Sequence, residues 1–363
     1  MHGYMDPYIT VVMPVRNEAR FIAETLDQLL DQDYPADRFE IIVADGMSDD
    51  GTRDIVCNVM RRHPQVKLFD NLKRVSSAGR NVGFRSGRGD YFLVVDGHCY
   101  IPDDRLLRNV ADCFEKSGAD CLGRPQPLDP PGLTLFQKAV ALARGSRLGH
   151  GSDSMIYGDY EGFASPVSNG AAYRREVFDK IGYVDEDFDA AEDVEFNYRV
   201  EKAGLTAYTS PKLAVLYYPR GNLRGLFRQM MRYGVGRCRF IRKHPTALTI
   251  NQLVPLFFVL GLIMLGLTAF LLLAVGASLP FLLIGSVYAL YFIILVVEAV
   301  CVAATQRAEY LPLLPMIFLT VHVGIGCGFL KALGVFLNST GSAGASHCLS
   351  TSLEKRAADE PSK

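Results

Sequence analysis

Three apolar stretches in the last third of the chain decide most about what it can fold into. They run from Leu253 to Val275, from Leu279 to Ala304 and from Leu311 to Leu337. Each exceeds the roughly 20 residues that an α-helix needs to cross a bilayer. The first holds no charged residue, the second only Glu298 and the third only Lys331, near its end. One such stretch could be a buried core helix, but three in succession over residues 253–337 predict membrane helices. The third, rich in Gly and Pro, fits a re-entrant segment as well as a full crossing. Ahead of them, residues 220–245 carry eight Lys or Arg between Arg220 and Lys243 and no acid. That excess predicts a multi-pass protein of the inner (plasma) membrane with this flank, and the domain before it, in the cytoplasm. Leu223, Leu226, Phe227, Met230 and Met231 recur at helical spacing, with Arg224, Arg228 and Arg232 four residues apart. This reads as an amphipathic helix lying on anionic membrane lipids. The polar tail, 338–363, reads as disordered.

The formal net charge of the 363 residues is -1, so no basic surplus points to nucleic acid. Eight cysteines form no C-x-x-C pair and no zinc-ligand spacing, which predicts reduced thiols. Met1 to Tyr8 shows no signal-peptide pattern.

Residues 8–219 alternate strand and helix patterns. Ile9 to Pro14, Ile41 to Ala44, Val66 to Phe69 and Tyr91 to Val95 read as strands. Phe21, Thr25, Leu26, Leu29 and Leu30 recur at helical spacing, and Ser77 to Gly83 opens a further helix. The alternation predicts an α/β domain with a mostly parallel central sheet and its site along the carboxyl ends of the strands. Polar groups stand at those ends. Asp45 suits the imide proton of a uracil ring, or serves the Gly-rich turn that follows it; Asp49 and Asp50 read as turn and cap residues. Arg80 can pair with a phosphate or hold the loop that does. Asp96 and His98, two residues apart on an extended segment, can share one divalent cation. No G-x-x-x-x-G-K-[ST] occurs, and no G-x-G-x-x-G follows the first strand, which argues against a P-loop or a dinucleotide cofactor.

Further on, Leu133 to Ala143 predicts a helix, and Ser165 to Tyr173 a strand and turn about Asn169-Gly170. Glu192, Asp193 and Glu195 cluster where another helix begins. Acids there complement the helix dipole. One of them could equally be a general base for a hydroxyl.

These blocks together resemble glycosyltransferase family 2, with its nucleotide-sugar-binding GT-A fold. The resemblance rests on Pro14 with Asn17-Glu18 behind it, Ala44-Asp45-x-x-Ser48-x-Asp50-Gly51-Thr52, Ala78-Gly79-Arg80-Asn81-x-Gly83, Asp96-x-His98 and Glu192-Asp193. It covers roughly residues 8 to 245. Within the family the chain is most similar to succinoglycan-type exopolysaccharide glucosyltransferases, through Arg174 to Phe178, Glu195 to Arg199, Tyr217 to Arg220 and Arg242 to Pro245. Carried over, Pro14, Asn17 and Glu18 line the nucleotide pocket, Asp45 meets uracil and Arg80 lies near base and phosphates. Asp96 touches ribose and metal, His98 ligates the metal, Glu192 joins the substrate-binding residues and Asp193 is the catalytic base. His98 replaces the second acid of the usual Asp-x-Asp, which favours Mn²⁺ over Mg²⁺. Gln229-x-x-Arg232-Tyr233 resembles the acceptor- and pyrophosphate-holding Gln-x-x-Arg-Trp of processive synthases, with Tyr for Trp.

The resemblance implies an inverting, metal-dependent transfer from a UDP-sugar, glucose by subgroup, to a polyprenyl-diphosphate-linked saccharide in exopolysaccharide or cell-surface glycan synthesis. Two alternatives stay open: transfer directly to polyprenyl phosphate, and a non-catalytic nucleotide-sugar-binding membrane subunit.

Overall fold

A computed structural model of the chain describes residues 5–150, 159–275 and 278–334. The predicted disordered tail, 338–363, lies outside the described residues.

Ten strands are present among the described residues: β1 Ile9–Val15, β2 Phe39–Asp45, β3 Val66–Asp70, β4 Tyr91–Val94, β5 Cys99–Tyr100, β6 Cys121–Gly123, β7 Gly162–Phe163, β8 Gly170–Arg174, β9 Ala207–Thr209 and β10 Leu216–Tyr217. Helices α1 Ile22–Leu30, α2 Thr52–Met60, α3 Ser76–Ser86, α4 Leu106–Ser117, α5 Leu135–Gly145, α6 Arg147–His150, α7 Pro166–Asn169, α8 Arg175–Ile181 and α9 Glu192–Lys202 accompany them. Then come α10 Leu223–Lys243, α11 Ile250–Ala274, α12 Ser278–Thr305 and α13 Leu314–Gly334.

Eight strands form one sheet in the order β3-β2-β1-β4-β8-β6-β9-β7, and β5 pairs with β10 in a small second sheet. The first four strands of the large sheet are mutually parallel; β8 and β7 run against their neighbours. Both faces of β2 are buried along its whole length, which explains its apolar run from Ile41 to Ala44. The register sets Val15 beside Asp45 and Asp45 beside Asp70, and β4 ends at Val94 against Val12. The residues just past β1, β2, β3 and β4 therefore share one edge.

The α3 helix lies very close to β1. A Cβ on Gly83 would stand 2.2 Å from Val12 Cγ1, and one on Gly79 would stand 3.0 Å from Pro14 Cβ. The small side of Ala78-Gly79-Arg80-Asn81-x-Gly83 is thus a packing face that seats the helix bearing Arg80. At the other end of the sheet, buried Glu40 accepts from Thr10 Oγ1 (2.9 Å) and the Arg88 N–H (2.6 Å) and pairs with Lys67 Nζ at 2.7 Å.

Several expected boundaries moved. The helix predicted from Leu133 begins at Leu135, because Thr134 and Gln137 form a reciprocal capping box. The segment predicted as strand and turn over Ser165 to Tyr173 instead opens with one turn of helix, α7, capped by Ser165, before β8. The β5–β10 pair had no counterpart in the sequence reading, since two-residue strands carry no periodicity.

The chain divides into two compact units. One runs to Leu226 and takes in Gly285–Val321; the other holds Phe227–Ile284 and the residues from His322. Among the described residues, three helices are long and apolar enough to cross a membrane: Ile250–Ala274, Gly285–Thr305 and Leu314–Gly334. The first two are 11% and 17% buried, with Phe257, Phe270 and Leu290 among the exposed side chains, whereas the third is 44% buried. Within the second unit its glycines permit that burial. A Cβ on Gly328 would stand 2.1 Å from the Met231 carbonyl oxygen of α10, and one on Gly326 would stand 2.3 Å from the Pro255 carbonyl oxygen of α11. The Gly-rich third stretch is one continuous helix among the described residues. In α10, Leu226 and Met230 are buried and Arg224, Arg228 and Arg232 are exposed, as the amphipathic pattern requires.

Candidate active site

Two loops at the sheet edge are stitched together by short polar side chains. Ser48 Oγ accepts from the Asn17 N–H (2.8 Å), Thr52 Oγ1 from the Glu18 N–H (2.8 Å) and Asp50 Oδ2 from the Ala19 N–H (3.0 Å). Asn17 Oδ1 accepts from the Asp49 N–H (3.1 Å), and Asn17 itself adopts a left-handed backbone, φ 57°. Asp50 Oδ1 also takes the Thr52 N–H (3.0 Å) at the start of α2, the capping role expected of it. Ser48, Asp50 and Thr52 thus fix the loop that presents Asn17 and Glu18. The sequence signal for this is their own spacing, Ser-x-Asp-Gly-Thr.

Asp45 ends β2 with its side chain fully buried. Its carboxylate accepts from the Ser48 N–H (3.1 Å), Ser48 Oγ (2.5 Å) and Arg53 Nη1 (2.8 Å), and Arg53 bridges on to Asp70 at 2.8 Å. A carboxylate offers about four acceptor positions. Three are used within the protein, so Asp45 holds the turn whatever else it does. Arg53 was not singled out in the sequence, although it sits one residue past the motif.

Asp96 stands just past the end of β4, after Val95. The extended segment expected from Asp96 to His98 is instead a turn at Gly97 and His98. The turn seats Gly97 against β1 and Glu18, where only a residue without a side chain fits: a Cβ there would lie 3.0 Å from Val15 Cγ1 and 3.1 Å from Glu18 Cγ. This close approach lets His98 Nδ1 meet Glu18 Oε1 at 2.8 Å. Asp96 Oδ2 accepts from the Tyr217 hydroxyl at 3.1 Å, and the His98 ring packs edge-on to Tyr217, 4.6 Å between centroids.

Arg80, on α3, reaches the start of α9, where its Nη2 lies 3.4 Å from Glu192 Oε1. Both side chains are about a tenth exposed. Asn81, next along α3, is tied to the segment between α8 and α9: its Nδ2 donates to the Val184 carbonyl (2.8 Å) and to Glu186 Oε1 (2.7 Å). Burial works against the Arg80 charge, but Glu192, Asp193 and Asp96 hold its pKa above the usual arginine value. Burial pushes Glu192 up, helped by Asp193 and opposed by Arg80. Asp193 Oδ1 accepts its own helix's Val194 N–H at 2.9 Å. Ala191, just before, is held left-handed at φ 60°, a conformation that costs a non-glycine residue about 1–2 kcal/mol. Arg80, Asp96 and the adjacent pair Glu192 and Asp193, from three separate stretches of the chain, therefore form one charge cluster.

The subgroup motifs are mostly pins. Arg174 and Arg175 donate to the carbonyls of Ala119 and Phe114 and of Gly87 and Gly89. Arg199 pairs with buried Glu195 at 3.0 Å, and Asn197 ties α9 to β8 through Gly170 and Tyr173. Pro14 lies in β1 against Gly79. Gln229 and Arg232 lie on α10 in the second unit, where Gln229 Nε2 donates to the Tyr233 hydroxyl at 3.4 Å.

A divalent metal at Asp96 and His98 is compatible with this chemistry. His98 Nε2 is buried with no hydrogen-bond partner among the described residues, while Nδ1 is held by a carboxylate. That is how ligating imidazoles are commonly oriented. No group of three His, Cys, Asp or Glu is gathered to hold a metal among the described residues, so a bound ion there needs ligands from the substrate or water.

A family model described as glycosyl transferase family 2 matches residues 10–182, and one described as glycosyl transferase family group 2 matches residues 140–305. The succinoglycan biosynthesis protein ExoA of Rhizobium meliloti is 35% identical over 248 residues, 68% of this chain and 74% of the relative. In Methanococcus voltae, dolichyl N-acetyl-alpha-D-glucosaminyl phosphate 3-beta-D-2,3-diacetamido-2,3-dideoxy-beta-D-glucuronosyltransferase is 25% identical over 332 residues, 90% of this chain and 97% of the relative. Among solved structures, mannosyltransferase PcManGT of Pyrobaculum calidifontis, in complex with GDP-mannose and Mn²⁺, aligns at TM-score 0.56 and 20% identity over 91% of this chain and 88% of that one. This last likeness speaks for the fold, which is of the expected GT-A kind. Since ExoA is 35% identical with the match reaching across nearly three quarters of that protein, and the family model spans β1 to β4 with Arg80 and Asp96, the chain belongs to glycosyltransferase family 2.

Proposed function

We propose that the chain is an inverting membrane glycosyltransferase that moves a sugar, glucose by subgroup, from a UDP-sugar to a polyprenyl-diphosphate-linked saccharide. The observation that carries this is the Arg80–Asp96–Glu192–Asp193 cluster at the strand ends. It joins a buried cation to a helix-borne acid pair and to the acid that follows β4.

In this reading Asn17 and Glu18 wall the nucleotide side, and Asp45 offers its remaining acceptor position to the base. Arg80 supplies positive charge near the diphosphate. Asp96 and His98 hold a divalent ion, Mn²⁺ by the nature of the donors, which when bound would stabilise charge on the departing diphosphate. Asp193 takes the proton of an acceptor hydroxyl as that oxygen bonds to the anomeric carbon, and the bond from that carbon to the diphosphate oxygen breaks with its electron pair leaving on the nucleoside diphosphate. A single displacement converts an α-linked donor to a β-linkage. Glu192, kept in its protonated form more readily than an ordinary glutamate, limits repulsion beside Asp193. Gln229 and Arg232 are assigned to the acceptor's diphosphate. The three apolar helices and the exposed arginines of α10 fit a protein tethered at the membrane with this domain in the cytoplasm. The names of the two relatives, one from succinoglycan biosynthesis and one acting on a dolichyl-phosphate-linked sugar, favour a lipid-linked acceptor.

The test is to incubate membranes holding the full chain with radiolabelled UDP-glucose, Mn²⁺ and a host lipid extract. Label is expected in the organic phase, on an acceptor that keeps its diphosphate. Acid-labile label on a single phosphate would instead assign direct transfer to polyprenyl phosphate. Parallel reactions with GDP-mannose separate the two donor bases. No transfer with any nucleotide sugar would refute the reading.

A further inference from the structure

Arg124 is among the most deeply buried charged side chains of the catalytic unit, 2% exposed, and has no role in the scheme above. Its Nε and Nη1 are both buried with no hydrogen-bond partner among the described residues. The contrast with the other structural arginines is sharp. Arg174, Arg175 and Arg199 are all less buried, yet each spends its guanidinium on backbone carbonyls or a carboxylate. A desolvated guanidinium without a counter-charge is costly, and a fold does not retain it for stability.

Its position suggests why it is kept. Arg124 directly follows β6, and β6 lies two strands from β4 in the same sheet with its carboxyl end at the same edge. Two strand spacings are about 10 Å. Asp45 and the nucleotide-side loops stand on the opposite flank of β4. The segment after Arg124 is fixed rather than loose: the Pro125 carbonyl accepts from the Val215 N–H (3.1 Å) and the Pro127 carbonyl from the Tyr217 N–H (2.9 Å). Tyr217 in turn donates to Asp96. The Cys99 thiol, paired across from Tyr217, lies in the fields of both Asp96 and Arg124.

We propose that Arg124 is a phosphate-binding residue of the transfer site, on the side of Asp96 away from the nucleotide pocket. The assignment rests on the transferase reading and deepens it. The phosphate has two possible sources, the donor's diphosphate and the phosphate of the lipid-linked acceptor.

The experiment uses the full chain in lipid nanodiscs, as wild type, Arg124→Met and Arg124→Lys. Melting without ligand is measured first, then UDP binding with Mn²⁺ by calorimetry, then transfer at varied acceptor concentration. Arg124→Met is expected to melt at or above the wild-type temperature while kcat/KM falls about 10–100-fold, the loss of one charge-assisted hydrogen bond. Arg124→Lys is expected to keep part of the activity. A weaker UDP affinity with unchanged acceptor KM names the donor's diphosphate; a raised acceptor KM with unchanged UDP affinity names the lipid phosphate. If both constants stay within twofold of wild type, the proposal is wrong. It is equally wrong if Arg124→Met and Arg124→Lys both melt well below wild type while their folded fractions transfer normally, because Arg124 is then structural. Inactivity of the wild type toward every nucleotide sugar would sink the transferase reading and this assignment with it.

Discussion

Replacing Arg80 by Met tests whether the charge cluster is as tightly balanced as its geometry implies. Arg80 and Glu192 are 3.4 Å apart with side chains about a tenth exposed, and Asp193 and Asp96 also act on the guanidinium. Removing the cation leaves a buried carboxylate beside two others. Breaking such a pair costs about 3–5 kcal/mol. The lower end applies here, because burial already raises the Glu192 pKa and the group can escape by taking a proton. About 3 kcal/mol corresponds to a fall of roughly 6–12 °C in melting temperature for a domain of this size. The sign of the pH effect follows. A carboxyl whose folded pKa is raised contributes stability at low pH and loses it as pH rises through that pKa, so the Arg80→Met deficit should shrink on acidification. Arg80→Met/Glu192→Leu should recover more than half of the loss, and still fail to transfer sugar. The assay is thermal melting of the full chain in nanodiscs between pH 5 and 8, with transfer measured on the same samples. A fall under 2 °C for Arg80→Met near pH 8, or a double variant no more stable than the single, would refute the reasoning.

Other perturbations probe other links. Glu18→Gln weakens the carboxylate hold on His98 Nδ1, and Mn²⁺ affinity in the presence of UDP is expected to drop about 10–100-fold; an unchanged affinity would separate Glu18 from the metal. Gly83→Ala places a methyl 2.2 Å from Val12 Cγ1, so a loss of about 1–3 kcal/mol and a lower melting temperature are expected; equal melting would show that α3 does not sit so close to β1. Glu40 is buried, which would raise its pKa, yet its bonds from Lys67, Arg88 and Thr10 hold it below the usual 4.5. Its stabilising contribution is therefore present above that value and lost as pH falls through the lower folded one. Glu40→Gln should lower the melting temperature at pH 7 and matter little near pH 3; the same deficit at both would assign Glu40 a packing role only.

Much of this was legible in the sequence because the informative signals were local. The apolar runs of β1, β2 and β4 and the polar residues at their carboxyl ends announced the sheet edge before any coordinates. The Ala-Gly-Arg-Asn-x-Gly block announced a helix, and its close approach to β1 emerged only from the packing. What escaped depends on pairing across long separations. Nothing near Asp96 says that Tyr217 will donate to it, because two-residue strands such as β5 and β10 have no periodicity to read. Arg124 lies in a Pro-rich stretch that looks like a surface loop, and only the depth of β6 in the sheet reveals it as buried. Asp96 to His98 reads as extended from sequence, whereas Gly97 and His98 form a turn that seats Gly97 against Val15 and Glu18, a tertiary contact no local pattern carries. Gly-rich residues in the third apolar stretch left crossing and re-entry open; close packing on α10 and α11 within the second unit explains their presence in a single helix.

The central claim is that Asp193 is the base of a sugar transfer to a lipid acceptor. Its most direct test compares wild type with Asp193→Asn, supplying UDP-glucose labelled in the sugar, Mn²⁺ and host lipids, and counting label in the organic phase while UDP binding is measured separately. The account predicts lipid label with wild type, none above background with Asp193→Asn, and equal UDP affinity for both. Wild-type turnover by Asp193→Asn would contradict it.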